Sequence, residues 1–339
     1  MTLTRKLKNW VVLNERRHNL VRFSQFYPMK QIRKSIRDRN MKNIYPLTVE
    51  SKEPPKRIAI ETTNYCNTSC KFCPHSRMQR KLEHMSRSLY DKVIKEVVEL
   101  GTKEVSLGFI GEPLLDVHLF DRIKVAKELG MYVNVFTNGI LLDEDKANKL
   151  LLSGIDDVFI SVDAYNSNRY KEMRSTGKYE EVVKNAKYFI NQKRQLLLKK
   201  PNINVGMILL DEKDRKHKHQ FLKEWKEADN IHARTPHAWA NRVSTLDMKE
   251  IRQLNLPCYS LWTHMAVLSN GTVVPCCMDI EGELKLGDVN KESLKDIWNK
   301  SKQLKALRTV HIGGKSNKIP LCEKCDVLES QTLPWWYFE

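Results

Sequence analysis

The chain has 339 residues, 41% of them hydrophobic and 29% charged, with a formal net charge of +17. That length allows about two domains, or one barrel of roughly 200–250 residues with an appendage, and 12 Pro and 13 Gly are too few for a low-complexity chain. No apolar run reaches the roughly 18 residues that span a bilayer, and the apolar stretch at 10–13 is too short for a signal-peptide core, so eight cysteines point to metal or redox chemistry in a reducing, cytoplasmic setting and away from disulfides.

Residues 1–50 hold 12 Lys/Arg against Glu15, Asp38 and Glu50, a local net of +9, with Trp10, Phe23, Phe26 and Tyr27 interleaved. Two readings stand: a solvated helical extension over 1–55, or a surface for an anionic partner such as a membrane face, a nucleic acid or a nucleotide-linked substrate. No RNP-type or zinc-knuckle pattern is present, so no specific nucleic acid is expected.

After Pro54-Pro55 the texture changes. Strands are predicted at 57–63, 104–109, 132–137, 157–163, 202–210 and 231–237. Helices are predicted at 87–101, 118–130, 143–154, 178–195 and around 214–228. Strand–helix alternation with short turns makes an α/β fold with a parallel sheet and outer helices. Right-handed crossovers wind such units into a barrel or part of one, with chemistry at the C-terminal ends of the strands. Cys66, Cys70 and Cys73 follow the first strand, "GEP" (111–113) the second, "TNG" (137–139) ends the third and "SVD" (161–163) the fourth. Four such motifs on one rim suggest a ligand. Beyond about 245 the alternation stops. A hairpin is expected over 265–279 around Asn270-Gly271, a helix over 291–309, and Cys322-x2-Cys325 after a Pro-containing loop.

The first cysteines read C-x3-C-x2-C. A closed zinc site takes four ligands, and His75, two residues from Cys73, is poorly placed to complete one. A [4Fe–4S] cluster is normally held by four cysteines, so three leave one iron open to a substrate or cofactor.

That motif, with Phe72 before its last cysteine and the other rim motifs in order, resembles the signature of the radical S-adenosylmethionine (radical SAM) superfamily over roughly residues 56–326. The resemblance implies a partial (β/α)6 TIM-type barrel over 56–245. It implies a [4Fe–4S] cluster on Cys66, Cys70 and Cys73 whose open iron chelates SAM, and a 5′-deoxyadenosyl radical that takes a hydrogen atom from the substrate. Position by position, it places Phe72 near the adenine. Gly111, Glu112 and Pro113 match the segment that receives the SAM amino group. Ser161 and Arg174 match contacts to the ribose and carboxylate, where an Arg fork suits a carboxylate. Asn138 and Asp163 are further rim candidates. An external electron donor such as flavodoxin or ferredoxin is implied as well.

The later cysteines, with "NGTVVPC" and "DIW", resemble the SPASM/twitch extension of these enzymes, giving a small cysteine-rich module over 246–339. No cysteine follows Cys325, which matches the short form with one auxiliary [4Fe–4S] cluster. Its expected ligands are Cys258, Cys276, Cys322 and Cys325. Four cysteines also suit a closed zinc site. Cys277 is left over. Neighbours on a strand point to opposite faces, so Cys276 and Cys277 are not expected to serve one cube, and the Gly-x4-Cys spacing favours Cys276. Cys277 is then the candidate hydrogen-atom donor.

Three functions follow as expectations. The first is a radical SAM oxidoreductase acting on a small polar molecule, sugar or aminocyclitol, free or carried on a nucleotide or lipid, by dehydrogenation or epimerisation. The second is peptide or partner-enzyme maturation, for which residues 1–55 look too short and too basic to be an obvious leader-binding domain. The third is an electron-transfer or nucleic-acid-binding protein, against which the SAM-type rim set argues. With the first reading, the chain is cytoplasmic and its basic segment a peripheral contact to a membrane or other anionic partner. His237, Trp239, Asn241 and the "PWWYFE" tail (334–339) are the candidates to line or cover the pocket.

Overall fold

The computed structural model describes residues 48–51, 53–240, 242–243 and 257–327. Residues 1–47 and 52 of the expected basic extension over 1–55, Asn241 and the aromatic tail lie outside them. Residues 49–326 form one compact unit.

The alternation expected from the sequence is present. It runs β1 (Arg57–Ile60), α1 (Arg87–Leu100), β2 (Glu104–Leu107), α2 (Leu119–Glu128), β3 (Tyr132–Thr137), α3 (Glu144–Leu152) and β4 (Asp157–Ser161). It continues with α4 (Ser167–Arg174), α5 (Tyr179–Gln195), β5 (Asn202–Ile208), α6 (Glu212–Glu224) and β6 (Asn230–Arg234). Local chemistry sets the ends. Ser86 caps α1 by accepting from the Leu89 amide, and Gly101 stops it in the left-handed region at φ 91°. Asp211 and Asp214 form a reciprocal capping box on α6.

Strands β1 to β6 pair in sequence order, all parallel. The sheet order is β6-β5-β4-β3-β2-β1-β7-β8-β9, with β6 at one edge, so the barrel is partial and not closed. Side chains alternate across it. Val133 and Val135 on β3, Val158 and Ile160 on β4 and Val205 and Met207 on β5 are all buried. Ile160 and Val182 of α5 both flank Gly139, 3.1 and 3.2 Å from where its Cβ would be, which marks this face as the helix-covered one. The residues between them, among them Phe136, Phe159 and Ser161, therefore point to the inner face.

The second module continues the same sheet. After α7 (Ser260–Thr263), β7 (His264–Val267) pairs parallel with β1, and β8 (Thr272–Val274) and β9 (Gly287–Asp288) add on antiparallel. The expected hairpin is present. At its turn Gly271 has φ 90°, and a Cβ there would lie 2.3 Å from the Asn290 side chain, so a glycine is required. The helix expected over 291–309 is two, α8 (Leu294–Lys300) and α9 (Lys302–Ile312), followed by α10 (Pro320–Glu323).

Candidate functional site

Parallel pairing brings the C-terminal ends of β1 to β6 to one rim, and the three-cysteine loop leaves β1 there. The loop is clamped from several sides. The Glu112 amide donates to the Tyr65 carbonyl (2.8 Å) and Asn138 Nδ2 to Asn67 Oδ1 (2.6 Å). The Lys71 amide donates to the Met173 carbonyl (2.8 Å), and Ser175 Oγ to the Ser69 carbonyl (3.0 Å). The rim motifs after β2, after β3 and at the end of α4 thus hold one loop in place. Gly111 is where two backbones touch: a Cβ there would sit 2.5 Å from the Thr63 carbonyl oxygen and 2.7 Å from that of Tyr65.

Within the loop, the buried Thr68 hydroxyl lies 3.4 Å from both Cys66 Sγ and Cys70 Sγ. Burial pushes the Cys73 thiol up to about 12, with Cys70 and Cys66 adding to the rise. Burial also raises Cys70, against the pull of Arg174 and the hydrogen bond from Thr68. His75 is occupied elsewhere, its Nε2 2.7 Å from the Asn64 carbonyl oxygen.

Arg174 closes α4 and is 4% exposed. Its Nη2 donates to the Ser161 carbonyl (2.9 Å) and to the Asp163 carboxylate. Its guanidinium carbon lies 5.9 Å from the Phe72 ring centre. Burial works against its charge, and Asp163, with Cys70 and Tyr170, more than offsets that and raises its pKa. Asp163 takes a left-handed backbone (φ 64°) in which its amide donates to Gly206. Glu112 is buried as a strut: Oε1 accepts from Thr137 Oγ1 (2.7 Å) and the Leu114 amide, and Oε2 from the Asn138 amide (2.7 Å). Burial pushes its carboxyl up, against those hydrogen bonds. The structure thus gathers Phe72, Gly111, Glu112, Pro113, Asn138, Ser161, Asp163 and Arg174 around the three-cysteine loop.

The other cysteines converge in the second module. Burial pushes the Cys276 thiol well up, and Cys277, Cys258 and Cys325 add to it. Cys322 is raised by burial first and then by Cys258 and Cys325. The Cys258 amide donates to His311 Nδ1 (3.1 Å). Cys276 and Cys277 lie past the end of β8, in a turn, so strand alternation does not separate them. Surface exposure favours Cys276, half-buried against an exposed Cys277, yet burial and Cys258 push the Cys277 thiol up as well, to about 11.

Two connections and one unpartnered group were not foreseen from the sequence. Glu61, fully buried, accepts both Arg80 guanidinium nitrogens (2.7 and 2.9 Å) together with the amide and hydroxyl of Ser269 (3.0 Å each), tying the cluster loop to the hairpin. After β6 the chain returns across the rim. Trp239 Nε1 donates to the Phe72 carbonyl (3.0 Å), while the Ala238 amide donates to Asp326 Oδ2 (3.0 Å). His237 Nδ1 lies 3.2 Å from the same oxygen. The segment after β6 therefore touches residues adjacent to Cys73 and to Cys325. Last, the Tyr170 hydroxyl is buried without a partner beside Arg174.

Residues 60–219 match the family model of the radical SAM superfamily, and residues 258–326 that of an iron-sulfur cluster-binding domain, SPASM. The chain belongs to the radical SAM superfamily. It is similar to the S-adenosyl-L-methionine-dependent 2-deoxy-scyllo-inosamine dehydrogenase of Niallia circulans, 22% identical over 280 residues, covering 81% of this chain and 94% of that protein. It is 32% identical over 109 residues to a PqqA peptide cyclase of Gluconobacter oxydans, but that match covers 32% of this chain and only 30% of the cyclase. In fold it resembles the crystal structure of BtrN in complex with AdoMet and 2-DOIA, with TM-score 0.57 and 19% identity, covering 81% of this chain and 94% of that one.

Membership in the radical SAM family implies SAM and a [4Fe–4S] cluster, and the SPASM module implies auxiliary iron–sulfur binding. The donor set fits. Buried thiols that repel one another's charge stay neutral alone, and a cationic iron centre reverses that preference. Among the described residues no three His, Cys, Asp or Glu side chains close on a point as a single ion would need. Near the three-cysteine loop, Arg174 Nε and the Tyr170 hydroxyl are buried donors without acceptors. Such orphans are costly unless a ligand satisfies them, and the carboxylate of SAM is a suitable acceptor.

The burial difference gives a test of the auxiliary ligands. Cys276→Ala should lose one cluster, roughly half the iron and sulfide of a two-cluster protein, while Cys277→Ala keeps both. Iron and sulfide analysis after anaerobic reconstitution reads the difference. The reverse pattern would make Cys277 the ligand.

Proposed function

We propose that this radical SAM enzyme oxidises a small polar ring substrate of the sugar or aminocyclitol class, with one auxiliary [4Fe–4S] cluster on Cys258, Cys276, Cys322 and Cys325. The observation that carries the reading is the correspondence with the 2-deoxy-scyllo-inosamine dehydrogenase over 94% of that protein's length. Four of the five later cysteines, Cys258, Cys276, Cys322 and Cys325, suffice for one such cluster.

When bound to the three-cysteine cluster, SAM supplies a 5′-deoxyadenosyl radical able to take a hydrogen atom from carbon. An alcohol carbon that also loses its hydroxyl proton and one further electron becomes a carbonyl. An auxiliary [4Fe–4S] cluster held by Cys258, Cys276, Cys322 and Cys325 would supply the acceptor for that electron, and an external donor such as flavodoxin or ferredoxin would supply the electron for SAM cleavage. The chain's own part is to bind and orient. Cys66, Cys70 and Cys73 hold the first cluster and Arg174 presents donors to the SAM carboxylate. Gly111 to Pro113 offer backbone oxygens to its amino group, braced by Glu112, and Phe72 and Ser161 frame the adenosine. Asn138 ties the rim to the loop. Cys277, exposed as it is, serves as hydrogen donor only if the net reaction is an epimerisation.

Peptide maturation is the second reading, favoured by the 32% local identity to the PqqA peptide cyclase. The two separate in one experiment. Reconstituted protein with SAM and dithionite is given 2-deoxy-scyllo-inosamine, a panel of sugars, or a PqqA-type peptide. The first reading expects 5′-deoxyadenosine whose yield rises with the cyclitol or a sugar, and a product lighter by two hydrogens. Turnover of the peptide alone would move the chain to the second reading. No cluster-dependent 5′-deoxyadenosine under any condition would end both.

A further inference from the structure

The inner face of the sheet, directly below the rim, carries side chains that the SAM-binding set does not use. Phe159 lies two residues before Ser161 on β4 and so shares its face. Phe136 stands opposite Phe159 in register, Asn204 opposite Phe159 on the other side, and Asn230 opposite Asn204. One step nearer the rim, Gly206 stands opposite Ser161, and His232 opposite Gly206. All of these point away from the helices.

This face is an aromatic shelf with a polar end. The rings of Phe136 and Phe159 stack at 4.3 Å and 15°, and His232 tilts against Phe159 at 5.9 Å. Phe136 is 39% exposed, unusual for a large ring on a barrel's inner wall. Asn204 Oδ1 accepts from Asn230 Nδ2 (3.0 Å) and lies 3.2 Å from His232 Nε2. Burial and Arg234 hold His232 below its ordinary range, so its ring is neutral, and donation from Nε2 leaves Nδ1 as an acceptor. Between Ser161 and His232 the wall is bare: a Cβ on Gly206 would meet only the Ile160 carbonyl oxygen, at 3.9 Å.

We propose that this shelf is the substrate subsite, and that it takes a single ring, a cyclitol or monosaccharide, with its C–H face on Phe136 and Phe159 and its hydroxyl or amino edge towards Asn204, Asn230 and His232. The assignment rests on the oxidoreductase reading above and names where its substrate sits. Position supports it, since the shelf continues from Ser161 at the end of β4 and Asn138 just past the end of β3. Size supports it too: four strands at ~4.8 Å spacing give a row about 14 Å across, room for one substituted ring. The chemistry is that of a small-molecule site, mostly apolar wall with a few convergent polar groups. The ring faces offer an apolar platform, and Arg234, two residues past His232 on β6, adds a cation on the rim side.

The test uses Phe136→Leu, which trims an already exposed ring, and Gly206→Val, which has room for its Cβ and projects onto the shelf. Titration calorimetry of the reconstituted, SAM-bound protein measures binding of 2-deoxy-scyllo-inosamine and myo-inositol, and SAM affinity is measured separately in the same proteins. Phe136→Leu should weaken binding of the preferred cyclitol about tenfold, Gly206→Val should remove it, and SAM affinity should stay within about twofold in the Phe136 variant. Unchanged cyclitol affinity in both variants overturns the proposal. So does an equal loss of SAM affinity in Phe136→Leu, which would make the shelf part of the SAM site. A wild-type protein that cleaves SAM but binds neither cyclitol also overturns it while leaving the radical chemistry standing. Failure of SAM cleavage itself would strike the oxidoreductase reading and not the shelf alone.

Discussion

Replacing Arg174 by methionine is expected to destabilise the protein by about 3–5 kcal/mol, the usual cost of stripping one partner from a buried ion pair. Asp163, 3% exposed and held in a left-handed turn by its amide bond to Gly206, would keep a carboxylate without its cation. The Ser161 carbonyl would lose its donor as well. SAM affinity should fall by more than tenfold, since the buried Nε donor disappears with the charge. The two effects can be separated. Adding Asp163→Asn to Arg174→Met removes the stranded charge and should restore much of the stability in a denaturant titration, but not the affinity for SAM. If the double variant binds SAM like the wild type, Arg174 is a structural residue and its assigned contact is wrong.

Much of the barrel was legible because its strands and helices follow simple periods. β3 begins and ends where the alternation in "YVNVFT" says it should, and α1 ends at the glycine the pattern pointed to. The helix that carries Arg174, α4, was not legible. Its sequence, SNRYKEMR, has no apolar stripe, because the residues it buries include two arginines. Arg169 takes the place of a core side chain by pairing with Asp214 (2.7 Å) and Asp211 (2.8 Å), and the helix starts on an Asn166 cap. Periodicity detects burial only when burial is apolar. The cap was the available signal. The break at Ser301 escaped for a different reason. One serine ends α8 and caps α9, and its hydroxyl also donates to the Leu286 carbonyl (2.8 Å), a contact from outside the segment.

The pairing of β7 with β1 likewise joins residues such as Arg57 and His264, far apart in sequence, and no local pattern announces it. It matters for function, because it fuses the cysteine-rich module to the first strand of the barrel. The Glu61–Arg80–Ser269 cluster then fixes the hairpin against the three-cysteine loop. The cysteine spacings pointed to candidate ligands; the buried Glu61 carboxylate that ties the hairpin to the loop belongs to no motif.

Gly111→Ala should do more harm to cluster loading than any other single methyl group at the rim. Its Cβ would lie 2.5 Å from one backbone oxygen, 2.7 Å from a second and 2.9 Å from the Asn64 Cα, and backbone cannot swing aside as a side-chain tip can. Either the strand-two loop or the cysteine loop must move. Overpacking of this kind costs roughly 1–3 kcal/mol, a tolerable loss for the fold. The site is less tolerant, because the displaced bond is that between the Glu112 amide and the Tyr65 carbonyl, one residue before Cys66. The expected result is a folded protein with its auxiliary cluster retained, iron content reduced towards one cluster, and little SAM-dependent 5′-deoxyadenosine. Mössbauer or iron analysis against circular dichroism separates this from general unfolding. Full loading of both clusters would show that the loop accommodates the methyl group, and that the close approach is packing without consequence for the cofactor.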